Sequence, residues 1–230
     1  MVVYLDKVPT ETRWYAGLAG SQLIFDMQQH GGTINDAKAA LSQLAPCDTE
    51  ALWGSVSGVE YINDKLIPSI CDSGLGHFKK PAAFGALHAV VLSLSRGVTP
   101  GGVRARPIHS TQYTSIFPYP VELGGIFYSH FRRMFDVPPL GVHPLVWAAR
   151  VFAAFLYLHP YEDGNGRTAR LLLNVMLQVH GMPYSVIPDP ITSLSRLDYI
   201  ACLADVAYDD MEPLYNLILQ SVESSPPISG

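Results

Sequence analysis

An all-α helical bundle with one loop or short hairpin laid over it is expected from three features of this sequence. Apolar residues recur at helical spacing over most of its 230 residues. Two segments are apolar almost all round: 146–158 apart from Arg150, and the stretch holding Leu171, Leu172, Leu173, Val175, Met176, Leu177 and Val179. A helix without a polar face must be surrounded by other helices, so this pair belongs at the centre. Only between 97 and 120 do Gly101, Gly102, Pro100, Pro107, Pro118 and Pro120 forbid a long helix, while Ile108, Tyr113, Thr114, Ile116 and Phe117 favour extension.

In chain order, a first helix over 14–30 runs into Gly31-Gly32. Thr33, three residues ahead of Asp36, caps a second that reaches about residue 45, and a third covers 49–63. Pro81 suits the first turn of a fourth helix, whose apolar face is Leu87, Val90, Val91 and Leu94 and which Gly97 and Pro100 end. Helices over 120–135, 144–158, 166–181, 194–208 and 211–222 follow. The tail, 223–230, is mostly Ser and Pro without apolar periodicity and is expected to fray. No repeat or linker divides the chain, so one domain is expected over 46–222, behind an N-terminal helical segment, 1–45, with a regulatory or docking role.

Composition narrows the function. Charged residues make up 15% against a usual share of about 25%, and hydrophobic residues 48%, which excludes a disordered charged chain. The net charge is -5, and the basic pairs Lys79-Lys80 and Arg132-Arg133 stand alone, so nucleic acid is not an expected partner. Segment 144–158 carries Arg150 and falls short of the roughly 20 residues that cross a bilayer, and the N-terminus lacks the pattern of a signal peptide, so a membrane is not expected either. Cys47, Cys71 and Cys202 are odd in number and widely spaced, which fits reduced thiols of a cytoplasmic or nuclear protein.

The chemistry concentrates in the polar turn between the two apolar helices, His-Pro-Tyr-Glu-Asp-Gly-Asn-Gly-Arg-Thr-Ala-Arg at 159–170. Gly164 and Gly166 flank Asn165 where a helix begins, so the backbone can fold into a nest whose N–H groups point at an anion, most simply phosphate. Arg167, Arg170 and Asn174 follow at i, i+3 and i+7, on one helix face behind that nest. Asp163 is a hard oxygen ligand that could hold Mg²⁺ with phosphate oxygens completing its shell. His159 can take a proton from a hydroxyl nucleophile. A single His at a helix end is more often a cap than a base, and Gly-Asn-Gly alone more often a turn than a nest; their clustering between two buried helices favours the chemical reading.

Residues 159–170 resemble the signature of the Fic family, HxFx(D/E)GNGRxxR, with Tyr161 where Phe is usual. The likeness extends more softly over 81–222, including Gly-Met-Pro-Tyr at 181–184 and Arg196 with Tyr199. The resemblance implies a helical bundle with a short β-hairpin flap that moves AMP from ATP, with Mg²⁺, to an exposed Ser, Thr or Tyr hydroxyl of a target protein. By motif position, His159 would be the base, Asp163 the metal ligand, and Gly164, Asn165, Gly166 and Arg167 the phosphate cradle, with Arg170 on the γ-phosphate. Asn174 and Tyr199 would lie near ribose and adenine, and Tyr161 would anchor the turn. The segment 104–117, with Thr111, Tyr113 and Thr114, would be the flap that pairs edge to edge with extended target chain.

Members of this family often carry an inhibitory helix with the motif [S/T]xxxE[G/N]. Its counterpart here is Val-Ser-Gly-Val-Glu-Tyr at 56–61, where Glu60 is in place but Val56 and Tyr61 replace the usual residues. The resemblance implies that Glu60 pairs with Arg170 and obstructs the γ-phosphate, and that such an enzyme also removes AMP. The sequence leaves open transfer from another phosphate-containing donor (UMP, phosphocholine or phosphate), an inactive nucleotide-binding interaction module, and a homodimer.

Overall fold

The computed structural model describes residues 57–58, 61–92, 99–108, 117–136, 141–182, 196–207 and 209–223. Proline marks where several helices begin, because its fixed φ suits a first turn and its missing N–H costs nothing there. Pro81, Pro120 and Pro144 open α2 (Pro81–Val91), α3 (Pro120–Ser129) and α4 (Pro144–Leu158), and Pro68 sits in the first turn of the short α1 (Ile67–Ser73). After them come α5 (Asn165–Val179), α6 (Arg196–Ala207) and α7 (Glu212–Glu223).

As expected, α4 and α5 form the central pair, packed against each other more extensively than any other described elements. In α5 every residue from 168 to 177 is buried, Thr168, Arg170 and Asn174 included. α2 and α1 cover α5, while α3 and α7 cover α4, the last with Leu214, Leu217, Ile218 and Val222. A second centre of packing is aromatic. The rings of Phe78, Phe84, Phe127, Phe131, Phe135 and Phe155 lie with neighbouring centroids 5.2 to 6.0 Å apart, tying α2 and α3 to the last turn of α4.

Three expectations are corrected. The helix expected over 120–135 breaks at His130 (φ -124°, ψ -62°) into α3 and a 3₁₀ turn, Phe131–Phe135. Ser129 Oγ donates to the Gly125 carbonyl at 2.6 Å, a back-bond that bends a helix, and the tighter turn delivers Phe131 and Phe135 to the aromatic core. The helical chain also runs past residue 63, through a π-helical turn, Ile62–Leu66, closed by Ile67 N–H on the Ile62 carbonyl. Pro68 follows it, and a widened turn relieves the clash that a proline ring makes with the carbonyl four residues back. In α2, finally, the buried face is Phe84, Leu87, His88 and Val91, with Val90 only half-buried; Leu94 lies outside the described residues.

Candidate functional site

The turn between α4 and α5 is held by its own polar side chains. His159 adopts the left-handed conformation (φ 44°, ψ 57°), and its N–H closes on the Phe155 carbonyl at 3.0 Å, which ends α4. Such a conformation costs a non-glycine residue about 1–2 kcal/mol and so needs support around it. Four residues on, Asn165 is 2% exposed and spends its amide on one partner: Oδ1 accepts from Tyr161 N–H at 3.0 Å, and Nδ2 donates to the Tyr161 carbonyl at 2.7 Å. Gly164 is the left-handed N-cap of α5 (φ 78°, ψ 0°). A Cβ there would stand 3.2 Å from His88 Nε2 and from Leu92, so the backbone favours glycine and the space around it is tight.

His88 reaches this turn from α2. Its Nδ1 accepts from Gly101 N–H at 2.8 Å, so Nε2 carries the proton and donates to the Asp163 carbonyl, also at 2.8 Å. One fully buried imidazole thereby joins α2, the Gly101 turn and the polar turn, and burial lowers its pKa.

His159 is arranged as a base. Its Nδ1 lies 3.1 Å from the Leu156 carbonyl, which can only accept, so Nδ1 bears the proton and Nε2 the lone pair. The ring stacks on Phe117 with centroids 4.0 Å apart, and burial lowers its pKa to about 4, with the Arg104 cation acting in the same direction. At neutral pH it is an uncharged acceptor.

Beside it is the start of α5, where backbone donors gather. The first N–H groups of α5, from Asn165, Gly166 and Arg167, have no intrahelical acceptor by construction. Asp163 accepts from Gly164 N–H through Oδ1 at 2.6 Å and from Arg167 Nη2 through Oδ2 at 3.0 Å. Arg167 Nη1 is buried with no partner among the described residues, an orphaned donor of the kind an anion satisfies. The Arg170 guanidinium lies over the same turn, its Nη1 3.5 Å from where a Gly166 Cβ would stand, and Asn174 is buried one turn further on. Among the described residues no three metal-ligating side chains cluster. The Asp163 carboxylate is 60% exposed, so the donor set fits a Mg²⁺ ion held by one carboxylate together with phosphate and water oxygens.

On its other side His159 borders a groove of about 840 Å³, within the range of small-molecule sites. Its walls include Phe117, Ala153, Leu156, Leu203, Val206 and Met211. This groove explains why the apolar α4 is not wholly enclosed: Arg150 and Tyr157, its exposed residues, both line it. Arg150 Nε donates there to the Tyr215 hydroxyl at 3.1 Å.

Residues 55–177, more than half of the chain, match the sequence model of the Fic/DOC family. The chain belongs to the Fic/DOC family. It is 28% identical over 190 residues to the protein adenylyltransferase Fic of Nematostella vectensis, covering 83% of this chain and 42% of that protein. It therefore spans less than half the length of this curated relative. The fold matches Fic-1 (residues 134–508) of C. elegans with a TM-score of 0.68 at 19% identity, over 97% of this chain and 64% of that one. It also matches a Fic domain containing signaling protein from Bacteroides thetaiotaomicron with a TM-score of 0.60 at 19% identity, over 96% and 91% of the two chains.

Of the residues that the Fic signature nominates, His159, Asp163, Gly164, Asn165, Gly166, Arg167 and Arg170 converge on one turn. The side chain of Asn165 braces that turn from within, which leaves its backbone N–H for an anion. Tyr161 is the anchor: 2% exposed, its ring lies on His88, and burial pushes its phenol upward from the ordinary value. Tyr199 belongs to α6, where Leu203 and Val206 follow at i+4 and i+7; its side chain lies outside the described residues. So do Glu60 and the flap residues Thr111, Tyr113 and Thr114. Sequence reasoning missed His88 and Arg104. Neither carried a decisive signal: in the sequence His88 reads as one polar residue among the apolar positions of α2.

Proposed function

We propose that this chain transfers AMP from ATP to an exposed Ser, Thr or Tyr hydroxyl of a target protein. The observation that carries this reading is His159: a neutral imidazole with Nδ1 committed to Leu156 and Nε2 left as acceptor, between an anion nest and an apolar groove. The nest suits the phosphates and the groove a purine base. In the reaction the target hydroxyl gives its proton to His159 Nε2 while its oxygen bonds to the α-phosphorus. The bond from that phosphorus to the bridging oxygen breaks, and pyrophosphate leaves. Arg167, Arg170 and the first N–H groups of α5 hold the charge of the phosphates. Mg²⁺, held by Asp163, would neutralise charge on the departing pyrophosphate. Asn174 and Tyr199 are assigned to the nucleoside, and Thr111, Tyr113 and Thr114 to pairing with target backbone.

Glu60 is assigned an inhibitory pairing with Arg170, which would also orient water for AMP removal. Gly58 supports this assignment: a Cβ on it would collide with Leu171 Cδ1, so the chain two residues before Glu60 packs against the residue after Arg170. The test uses ATP labelled on the α-phosphate, with Mg²⁺, on the native chain, Glu60→Gly and His159→Ala. Label is expected on protein, rising with Glu60→Gly and vanishing with His159→Ala. Label delivered from the γ-phosphate alone would establish phosphate transfer instead, and nucleotide binding without any transfer would favour an interaction module.

A further inference from the structure

Arg104 is 2% exposed, yet among the described residues its guanidinium meets no carboxylate. All three of its nitrogens are spent on backbone carbonyls: Nε on His159 at 2.7 Å, Nη1 on Arg106 at 3.2 Å, and Nη2 on Pro118. Its own N–H donates to the Pro160 carbonyl at 2.9 Å, so one residue grips two consecutive peptide groups at the end of α4. Arg106 and Pro118 precede and follow Thr111, Tyr113 and Thr114, the residues assigned to target docking, and Phe117, next to Pro118, is the residue on which the His159 ring lies. A buried cation that meets no counter-ion among the described residues is costly, and the planar guanidinium fork holds its three carbonyls in fixed directions, which a rotating ammonium does not.

We infer that Arg104 is the positioning residue of this site: it holds His159 in its left-handed conformation, aims Nε2, and ties the foot of the docking segment to the base, so that target and base keep a fixed distance. The inference rests on the transfer reading for its effect on rate, but not for its effect on the imidazole. His159 also faces Asp163 from the polar turn, and Arg150, Asp209, Asp210 and Glu212 line the adjoining groove. Those groups are the same in every Arg104 variant, so a change between variants reports Arg104.

The experiment compares the native chain with Arg104→Gln and Arg104→Lys, reading three quantities. Imidazole ¹⁵N spectra, with His159 assigned through His159→Gln, give its tautomer and titration; transfer assays give kcat and the KM for ATP; thermal melting reports folding. In Arg104→Gln, His159 should lose its single Nδ1–H tautomer and titrate above its native value of about 4, and kcat should fall by about 10²-fold with the KM for ATP within about twofold. Arg104→Lys keeps the charge but not the fork, so its kcat should stay low, and methylguanidinium added to Arg104→Ala should restore part of it. A folded Arg104→Gln with native kcat and a native imidazole spectrum overturns the inference, as does full activity in Arg104→Lys. If Arg104→Gln does not fold, Arg104→Lys decides by the same readings. If the native chain transfers nothing, the transfer reading fails, while an unchanged His159 spectrum in the variants still separately overturns the role of Arg104.

Discussion

The ring of Tyr161 lies flat on that of His88, with centroids 3.7 Å apart and planes 13° from parallel. Tyr161 belongs to the polar turn and His88 to α2, so this stack, with the His88 bond to the Asp163 carbonyl, fixes the height of the turn above the bundle. Replacing His88 by Ala removes the bonds to the Asp163 carbonyl and the Gly101 N–H, part-buried groups for which the loss is about 0.5–1.5 kcal/mol each. Thermal melting of His88→Ala should show a lower midpoint, and ATP titration a weaker affinity because Asp163 is no longer held. Tyr161→Phe keeps the stack and both backbone bonds to Asn165, so it should bind ATP as the native chain does.

Gly164→Ala meets two obstacles at once. The backbone is left-handed, and the new Cβ would press on His88 and Leu92 at 3.2 Å. The expected loss is about 1–3 kcal/mol of stability, together with weaker binding of inorganic phosphate and ATP at the start of α5. Native-like melting and affinity in this variant would show that the turn tolerates another conformation.

Asn165 separates bracing from charge. Asn165→Ala removes both bonds to Tyr161 and should cost about 2–4 kcal/mol. Asn165→Asp keeps the acceptor for Tyr161 N–H but cannot donate to the Tyr161 carbonyl, and it places a negative charge at an anion nest. It should therefore weaken ATP binding more than Asn165→Ala does, as calorimetry of the two variants would show; the reverse order would mean that bracing, not charge, controls binding.

Acid should destabilise the fold in a defined window. Burial lowers the pKa values of both His88 and His159, the latter to about 4 from 6.5. Between those values the unfolded chain binds protons that the folded chain refuses, so stability falls as pH drops through 6.5 toward about 4 and is level above it. Denaturant midpoints taken at about pH 7.5 and about pH 5 should show this fall, and His159→Gln should remove part of it. An equal slope in that variant would assign the acid sensitivity to other groups. As His159 is already neutral at pH 6, transfer should not decline between about pH 7 and about pH 6, where an ordinary histidine base would begin to charge.

Much of the fold was legible in the sequence because burial writes itself as local periodicity. The apolar surroundings of 146–158 and 171–179 placed α4 and α5 at the centre, and glycines 164 and 166 marked the start of α5. The break at His130 was not legible, since apolar residues continue at helical spacing through Phe131 and Phe135 and only the back-bond of Ser129 and the demands of the aromatic core turn the chain. Nor was the buried face of α2, where Leu87 and Val91 fit either assignment and His88 reads as polar until its two partners are in place.

The sequence by itself determined the helical class, the central pair and which residues crowd the turn, because each depends on spacing within a few turns of chain. Only the tertiary structure decided what holds the turn in shape. His88 reaches Asp163 across 75 positions and Arg104 reaches His159 across 55, and both end on backbone carbonyls. Every residue has a carbonyl, so such a bond leaves no mark on the identity of its acceptor, and folding alone reveals which carbonyl is taken.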